Sequence, residues 1–146
     1  MTRWVRLFLK ILLFLLMTLA IVFGSWVIYS QPKYDGKLHI KGLSNSVDIQ
    51  RDSADVTHIV ASNDRDAAFA LGFVHAQDRS WQLEFNRRVI RGELSEILGE
   101  TTLPTDKLMR TLGLIHAAQK QLEQLPTEVV DQLKAYSEGV KAFHAN

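Results

Sequence analysis

Asp78 and Arg79 stand side by side in a stretch whose apolar residues recur at steps of three and four. A carboxylate on an apolar helix face has to be paired or hydrogen-bonded, because an isolated buried charge is costly. Such a group can act as a catalytic acid, or as an ion-pair hub tying its helix to the strands or to another helix. The surroundings favour the hub. His75 lies three positions before Asp78, so two potential metal ligands share a helix face. Two ligands do not make a site, and no H-E-x-x-H pattern accompanies them. His58 sits in a short β-branched segment and reads as a core or edge histidine rather than a base. Arg87, Arg88 and Arg91 could grip an anion, but in the last turn of a helix they are most simply solvated cations matched to the helix dipole. Glu93 and Glu96 read as capping or pairing groups; acid/base work by two carboxylates would need them to face each other. Trp81 and Phe85, four apart, read as core.

The elements that must hold these residues follow from the pattern. The expected long helix starts at Asn63 or Asp64, whose side-chain oxygens can accept from orphan N–H groups, with Asp66 adding favourable charge. It runs without proline to Arg91, and Gly92 marks its end. Ala67, Leu71, Val74, Trp81, Phe85 and Val89 form its expected apolar face, with Asp78 in the gap. Before it, Lys37–Lys41 and Ser46–Arg51 alternate around Gly42–Asn45, predicting a β-hairpin, and Thr57–Ala61 predicts a third strand. After it come a turn or two over Glu93–Leu98, a loop over Gly99–Pro104 and a helix from Thr105 to about Leu125, with Leu108, Leu112, Ile115 and Leu122 inward. A last helix spans Thr127 to Ala145, striped by Val129, Leu133, Tyr136, Val140 and Phe143.

The amino terminus is different in kind. Ile11 to Ile28 is a run of 18 residues without a charge, preceded by Arg3, Arg6 and Lys10, with Trp26 and Tyr29 where the far interface would be. With Val5 to Phe8 added, it suffices for a membrane-spanning helix, and the positive flank keeps that end in the cytoplasm. It exceeds the usual apolar core of a cleaved signal peptide, and no clean A-x-A site follows. Residues 1–30 are therefore expected to be a transmembrane signal-anchor, with a cleaved signal peptide as the alternative. Membrane contact is expected over residues 5–29, and the rest is expected in the periplasm of a bacterium. Gln31 to Gly36 reads as a stalk.

The remaining numbers exclude several classes. Of 17 basic and 16 acidic residues, only the three amino-terminal cations stand apart, so the rest is nearly neutral, with no basic stripe for nucleic acid. There is no cysteine, which excludes disulfides, thiolate nucleophiles and cysteine-bound zinc.

Three stretches in order resemble the penicillin acylase family of N-terminal-nucleophile hydrolases. The most specific is Asp66–Gly99, where Gly72, Ala76, Gln77, Asp78, Arg79, Gln82, Arg87, Arg88, Gly92, Glu96 and Gly99 stand in the family's register. Val47–Asn63 matches an arginine–aspartate pair and a following Pro-His-Ile strand, although Asp55-Val56-Thr57-His58-Ile59 lacks the family's Gly and Pro. Asp106, Arg110 and Gly113, then Ala135, Tyr136 and Gly139, form a weaker third match.

The resemblance covers about Leu38 to Ala145, so residues 31–146 are expected to be the amino-terminal portion of the family's α chain. It implies an α+β, mostly helical fragment, with a short hairpin or three strands, belonging to a larger αββα sandwich. It also implies an enzyme that cleaves the amide bonds of acylated small molecules such as β-lactams or acyl-homoserine lactones. In the family a precursor cuts itself to expose a serine at the start of a β chain, and that serine's own amino group is the base. None of Ser25, Ser30, Ser44, Ser46, Ser53, Ser62, Ser80, Ser95 or Ser137 fits that nucleophile. No catalytic, cofactor-binding or metal residue is therefore assigned within this segment, calcium being implied only for the complete enzyme. The expected partners are the remainder of the precursor and an acyl amide substrate. Residues 31–146 alone are expected to be inactive and aggregated or molten. The rival reading is a membrane-anchored helical module that binds a partner without catalysis.

Overall fold

A computed structural model describes residues 3–31 and 34–145, and the chain divides into two units, residues 1–38 and 39–146. In the first unit Arg3–Ser30 forms one helix, α1. Leucine is its commonest residue, with Ile, Phe and Val next, no proline interrupts it, and the Thr18 hydroxyl donates to the Phe14 carbonyl at 2.9 Å. Its side chains are exposed all round, with no polar face. At 1.5 Å per residue it is about 42 Å long, more than a bilayer's hydrocarbon thickness. Length and composition suit a membrane span or a signal segment alike. Pro32 and Lys33 of the expected stalk lie outside the described residues.

The second unit holds a two-stranded antiparallel sheet and five α-helices among its described residues. The strands are β1 (Asp48–Arg51) and β2 (Thr57–Val60), paired Asp48↔Val60 through Arg51↔Thr57. The expected hairpin between Lys37–Lys41 and Ser46–Arg51 is not formed, and the three expected strands reduce to two. The reason is local. Asp52 Oδ1 accepts from the N–H groups of Ala54 and Val56, each at 2.9 Å, and closes the turn after β1. Asp55 takes a left-handed φ of 61° that aspartate tolerates. Gly42–Asn45 is drawn away to the start of the long helix instead.

That helix, α2, spans Asp64–Arg91. Asn63 caps it, its side-chain oxygen accepting from the Asp66 N–H at 2.8 Å. It ends at Gly92, whose left-handed φ of 65° lets the Gly92 and Glu93 N–H groups reach Val89 and Arg88 carbonyls. Two corrections apply inside it. Arg79 leaves helical geometry (φ −141°, ψ 32°), so α2 is kinked. Its buried face is Asp66, Phe69, Ala70, Gly72, Phe73, Val74 and Ala76, which shares only Val74 with the expected stripe; Leu71 is 41% and Trp81 63% exposed. Small residues share this face with Phe69 and Phe73 and allow another helix to approach.

That other helix is α6 (Thr127–Ala145), with the expected bounds. Its buried residues are Ala135 and Gly139, whereas Val129 and Leu133 of the expected stripe are exposed. Between the two long helices lie α3 (Ser95–Leu98), a 3-10 turn (Glu100–Thr102), α4 (Leu103–Leu112) and α5 (Leu114–Leu122). The single helix expected from Thr105 to Leu125 is thus two. It starts earlier because Pro104 suits a first turn, and it breaks at Gly113, which takes φ 66°.

Candidate functional site

The residues marked out by sequence fall into three polar assemblies on α2, which the sheet and the shorter helices position. At its start, the Asp66 side chain is fully buried. Its two oxygens accept from the backbone N–H groups of Ser44 and Asn45, each at 2.9 Å, and from the Asn63 side-chain amide at 2.8 Å. The Ser44 N–H contributes most to holding this carboxyl below its ordinary value. Burial opposes, and the Asn63 and Asn45 bonds reinforce. Arg65 completes the junction, donating to the Gly42 carbonyl at 2.7 Å and to Glu138 of α6 at 2.8 Å.

Midway along α2, Asp78 accepts from the Arg51 guanidinium of β1 at 2.6 Å. Arg51 also reaches the Gln77 side chain at 3.4 Å and Asp55 at 3.5 Å. The arginine–aspartate partnership therefore runs from helix to strand and excludes Arg79, whose described partner is Gln82 at 3.3 Å. Asp78 is the hub joining α2 to the strands, but a partly exposed one, since its side chain is 28% accessible. His75 turns to the Tyr136 hydroxyl of α6 at 3.0 Å, so His75 and Asp78 face different partners. His58 pairs with Asp52 across the turn at 3.1 Å, and that hydrogen bond is the largest cause lowering the Asp52 carboxyl.

At the end of α2 the three arginines are not simply solvated. Glu84 accepts from Arg87 at 2.7 and 2.9 Å and from Arg88 at 2.6 Å. Those bonds, Arg87 first, pull its carboxyl down to about 2. Arg88 is only 19% exposed and spans to Glu96 at 2.7 Å, while Arg91 binds Glu93 at 2.9 Å. Glu93 and Glu96 are thus pairing groups. Asp106, which the sequence marked only within the weaker third match and gave no role, is buried and accepts from the N–H groups of Leu94 and Ser95 at 2.9 and 2.8 Å. Burial pushes this carboxyl up, yet the Ser95 and Leu94 bonds and the Arg110 charge leave it lowered. Asp106 repeats the device of Asp66, a carboxylate near a helix start gripping two successive N–H groups of an earlier loop. An Asp three residues after Leu103 was the available signal. Arg110 fastens the same corner, donating to the Gly92 carbonyl at 2.8 Å.

Chemically, the assemblies neutralise charge and fix backbone. The Ser80 and Ser137 hydroxyls donate to carbonyls one turn earlier, Ala76 and Leu133, rather than to a base. Among the described residues no three His, Asp or Glu side chains converge as a metal site. Trp81 and Phe85 form a tilted pair with ring centres 6.4 Å apart; Trp81 is exposed rather than core, and Phe85 is half-buried.

Comparison with known proteins places this framework. The profile of the family described as Penicillin amidase matches residues 46–146. The chain is 45% identical over 115 residues to the Penicillin acylase 2 proenzyme of Pseudomonas sp. (strain SE83), covering 79% of this chain and 15% of that protein. It is 36% identical over 114 residues to the acyl-homoserine lactone acylase QuiP of Pseudomonas aeruginosa, covering 78% of this chain and 14% of the relative. A solved structure of thermostable penicillin G acylase from Alcaligenes faecalis superposes with a TM-score of 0.62 at 27% identity, over 67% of this chain and 52% of that one. The chain thus spans about one seventh of the length of these curated relatives.

Proposed function

The chain belongs to the penicillin amidase family, and on that premise we propose that it is the amino-terminal part of an acylase precursor. The complete protein hydrolyses the amide bond joining an acyl group to the amine of a small molecule, with β-lactams and acyl-homoserine lactones as the substrate classes and antibiotic metabolism as one setting. One observation carries this reading: 45% identity to a penicillin acylase proenzyme over 115 residues that include the whole α2 motif. The role of this segment is scaffolding. Its two strands and helices supply part of an αββα sandwich that the rest of the precursor completes. Leucines left exposed on α4 and α5, such as Leu108, Leu112 and Leu122, support that role, since burial is what they lack here. The nucleophile is a serine of the downstream β chain, exposed by self-cleavage and activated by its own amino group, and any calcium is bound there too. The α1 helix is an uncleaved anchor, with Arg3, Arg6 and Lys10 on the cytoplasmic side and the remainder in the periplasm.

The test is amine release. The product of the complete gene should liberate free amine from penicillin G or from N-acyl-homoserine lactones, while the 146-residue chain alone should liberate none. A correctly self-cleaved product inert toward both substrate classes would refute the proposal. Retention of the protein in membranes through alkaline carbonate washing checks the anchor; release into the wash would mean that α1 does not span.

A further inference from the structure

We propose that α2 is a hinged helix, bending at Arg79, and that Ser80 sets its angle. The second unit consists of two bodies joined where the chain passes between them. One body comprises β1, β2, α6 and the first half of α2, up to Asp78. Its described ties close within it: Asp66 with Ser44 and Asn45, Arg65 with Glu138, Arg51 with Asp78, and His75 with Tyr136. The other body is an arm comprising the second half of α2 with α3, α4 and α5. Its ties close within the arm: Arg88 with Glu84 and Glu96, Asp106 with Leu94 and Ser95, and Arg110 with Gly92. Neither strand nor α6 packs substantially against α3, α4 or α5.

The chain crosses between the bodies at two places. One is the turn between α5 and α6, near Leu125 and Pro126. The other is Arg79, the residue of α2 whose φ and ψ are not helical. Kinks need a cause, and Ser80 supplies one. Its hydroxyl donates to the Ala76 carbonyl, competing for the acceptor that the helix backbone uses there, a contact known to bend helices. The kink falls immediately after Asp78, where Arg51 clamps the first half to β1, so bending on the far side leaves that clamp intact. Two connections define an axis, and rotation about it moves the arm while both interiors stay packed.

The absence of native cysteine makes the test direct. Paired spin labels are placed on exposed positions of the full chain in detergent micelles: Gln50→Cys with Lys134→Cys within the body, Asn86→Cys with Lys107→Cys within the arm, and Lys107→Cys with Lys134→Cys across the axis. The cross-axis distance distribution should be about twofold broader than either internal one, as collective hinge motion requires. Ser80→Ala should shift its mean and leave the internal distances unchanged. Equal widths in all three pairs, whether narrow or broad, overturn the hinge. An unshifted cross-axis distance in Ser80→Ala overturns the role of Ser80. If that variant fails to fold, the widths in the unmodified background decide alone.

Discussion

A β-carbon added to Gly139 would stand 1.9 Å from the carbonyl oxygen of Phe69, and one added to Gly72 would stand 2.0 Å from the carbonyl oxygen of Tyr136. The α2–α6 contact is therefore backbone against backbone at both positions, flanked by buried Ala76 and Ala135. Gly139→Ala should separate the two helices, because no side-chain rotation can relieve a clash with a main-chain atom. Overpacking of this kind costs about 1–3 kcal/mol or more, against roughly 1 kcal/mol of helix propensity gained. Native-state proteolysis of residues in α6 should accelerate accordingly. Gly24→Ala, in a helix with nothing within 4 Å, should leave the rate unchanged; equal rates for both variants would mean the helices do not meet as described.

Asp66 and Asp106 make the second unit acid-sensitive. Each carboxyl lies below its ordinary value, so the folded state favours the ionised form. Their stabilisation is present in full above the ordinary carboxylate pKa of about 3.9 and is lost as pH falls through the lower folded-state values. Between pH 7 and 5 little should change. Below about pH 4 the Ser44, Asn45, Leu94 and Ser95 amides should lose protection together, read by hydrogen exchange corrected for its intrinsic pH dependence. Asp66→Asn puts an amide group where N–H donors converge. It should cost about 1–3 kcal/mol at pH 7 and abolish the acid step for Ser44 and Asn45 alone.

These clamps also mark the limit of what the sequence makes legible. Helix bounds were readable where local chemistry decides them: the Asn63 cap, the Gly92 stop, and the Thr127–Ala145 segment after Pro126. The family was readable because Gly72, Asp78, Arg79 and Gly99 hold a fixed register. The hairpin was misplaced because Gly42–Asn45 carries turn chemistry that Asp66, more than twenty residues on, diverts to a different use. The buried face of α2, Val74 apart, was misread because hydrophobic periodicity weights leucine and tryptophan, whereas the close crossing with α6 also selects glycine and alanine beside Phe69 and Phe73. That Asp78 ties its helix to another element was legible, but its partner Arg51 was not, because nothing local couples residues 27 positions apart.

The Arg51–Asp78 contact should be measurable as a coupling. At 2.6 Å it is short, but both side chains are partly exposed, at 20% and 28%, so solvent screens it. A double-mutant cycle of Arg51→Ala and Asp78→Ala should return a coupling of about 0.5–1 kcal/mol that shrinks in molar salt. Coupling between Asp78 and Arg79, measured in the same way, should be near zero. The reverse order of the two couplings would return Asp78 to the local pairing that its sequence neighbour suggests.

Trp81 reports whether the exposed side of α2 is covered in the complete protein. The other two tryptophans, Trp4 and Trp26, lie in α1, so replacing them with phenylalanine leaves one fluorophore at the kink. With 63% of its surface accessible, Trp81 in the 146-residue chain should emit at long wavelength and be quenched efficiently by acrylamide. A tryptophan carries more apolar area than a solvent-facing position gives reason for, and burying it would contribute on the order of 2 kcal/mol. In the full-length protein the emission should therefore shift to the blue and the quenching constant should fall several-fold. The same replacements with Trp81→Ser should leave the short chain's proteolysis unchanged but weaken the longer protein. Identical quenching in both lengths would leave Trp81 a solvent-facing residue and deprive the scaffolding role of its support on this face of α2.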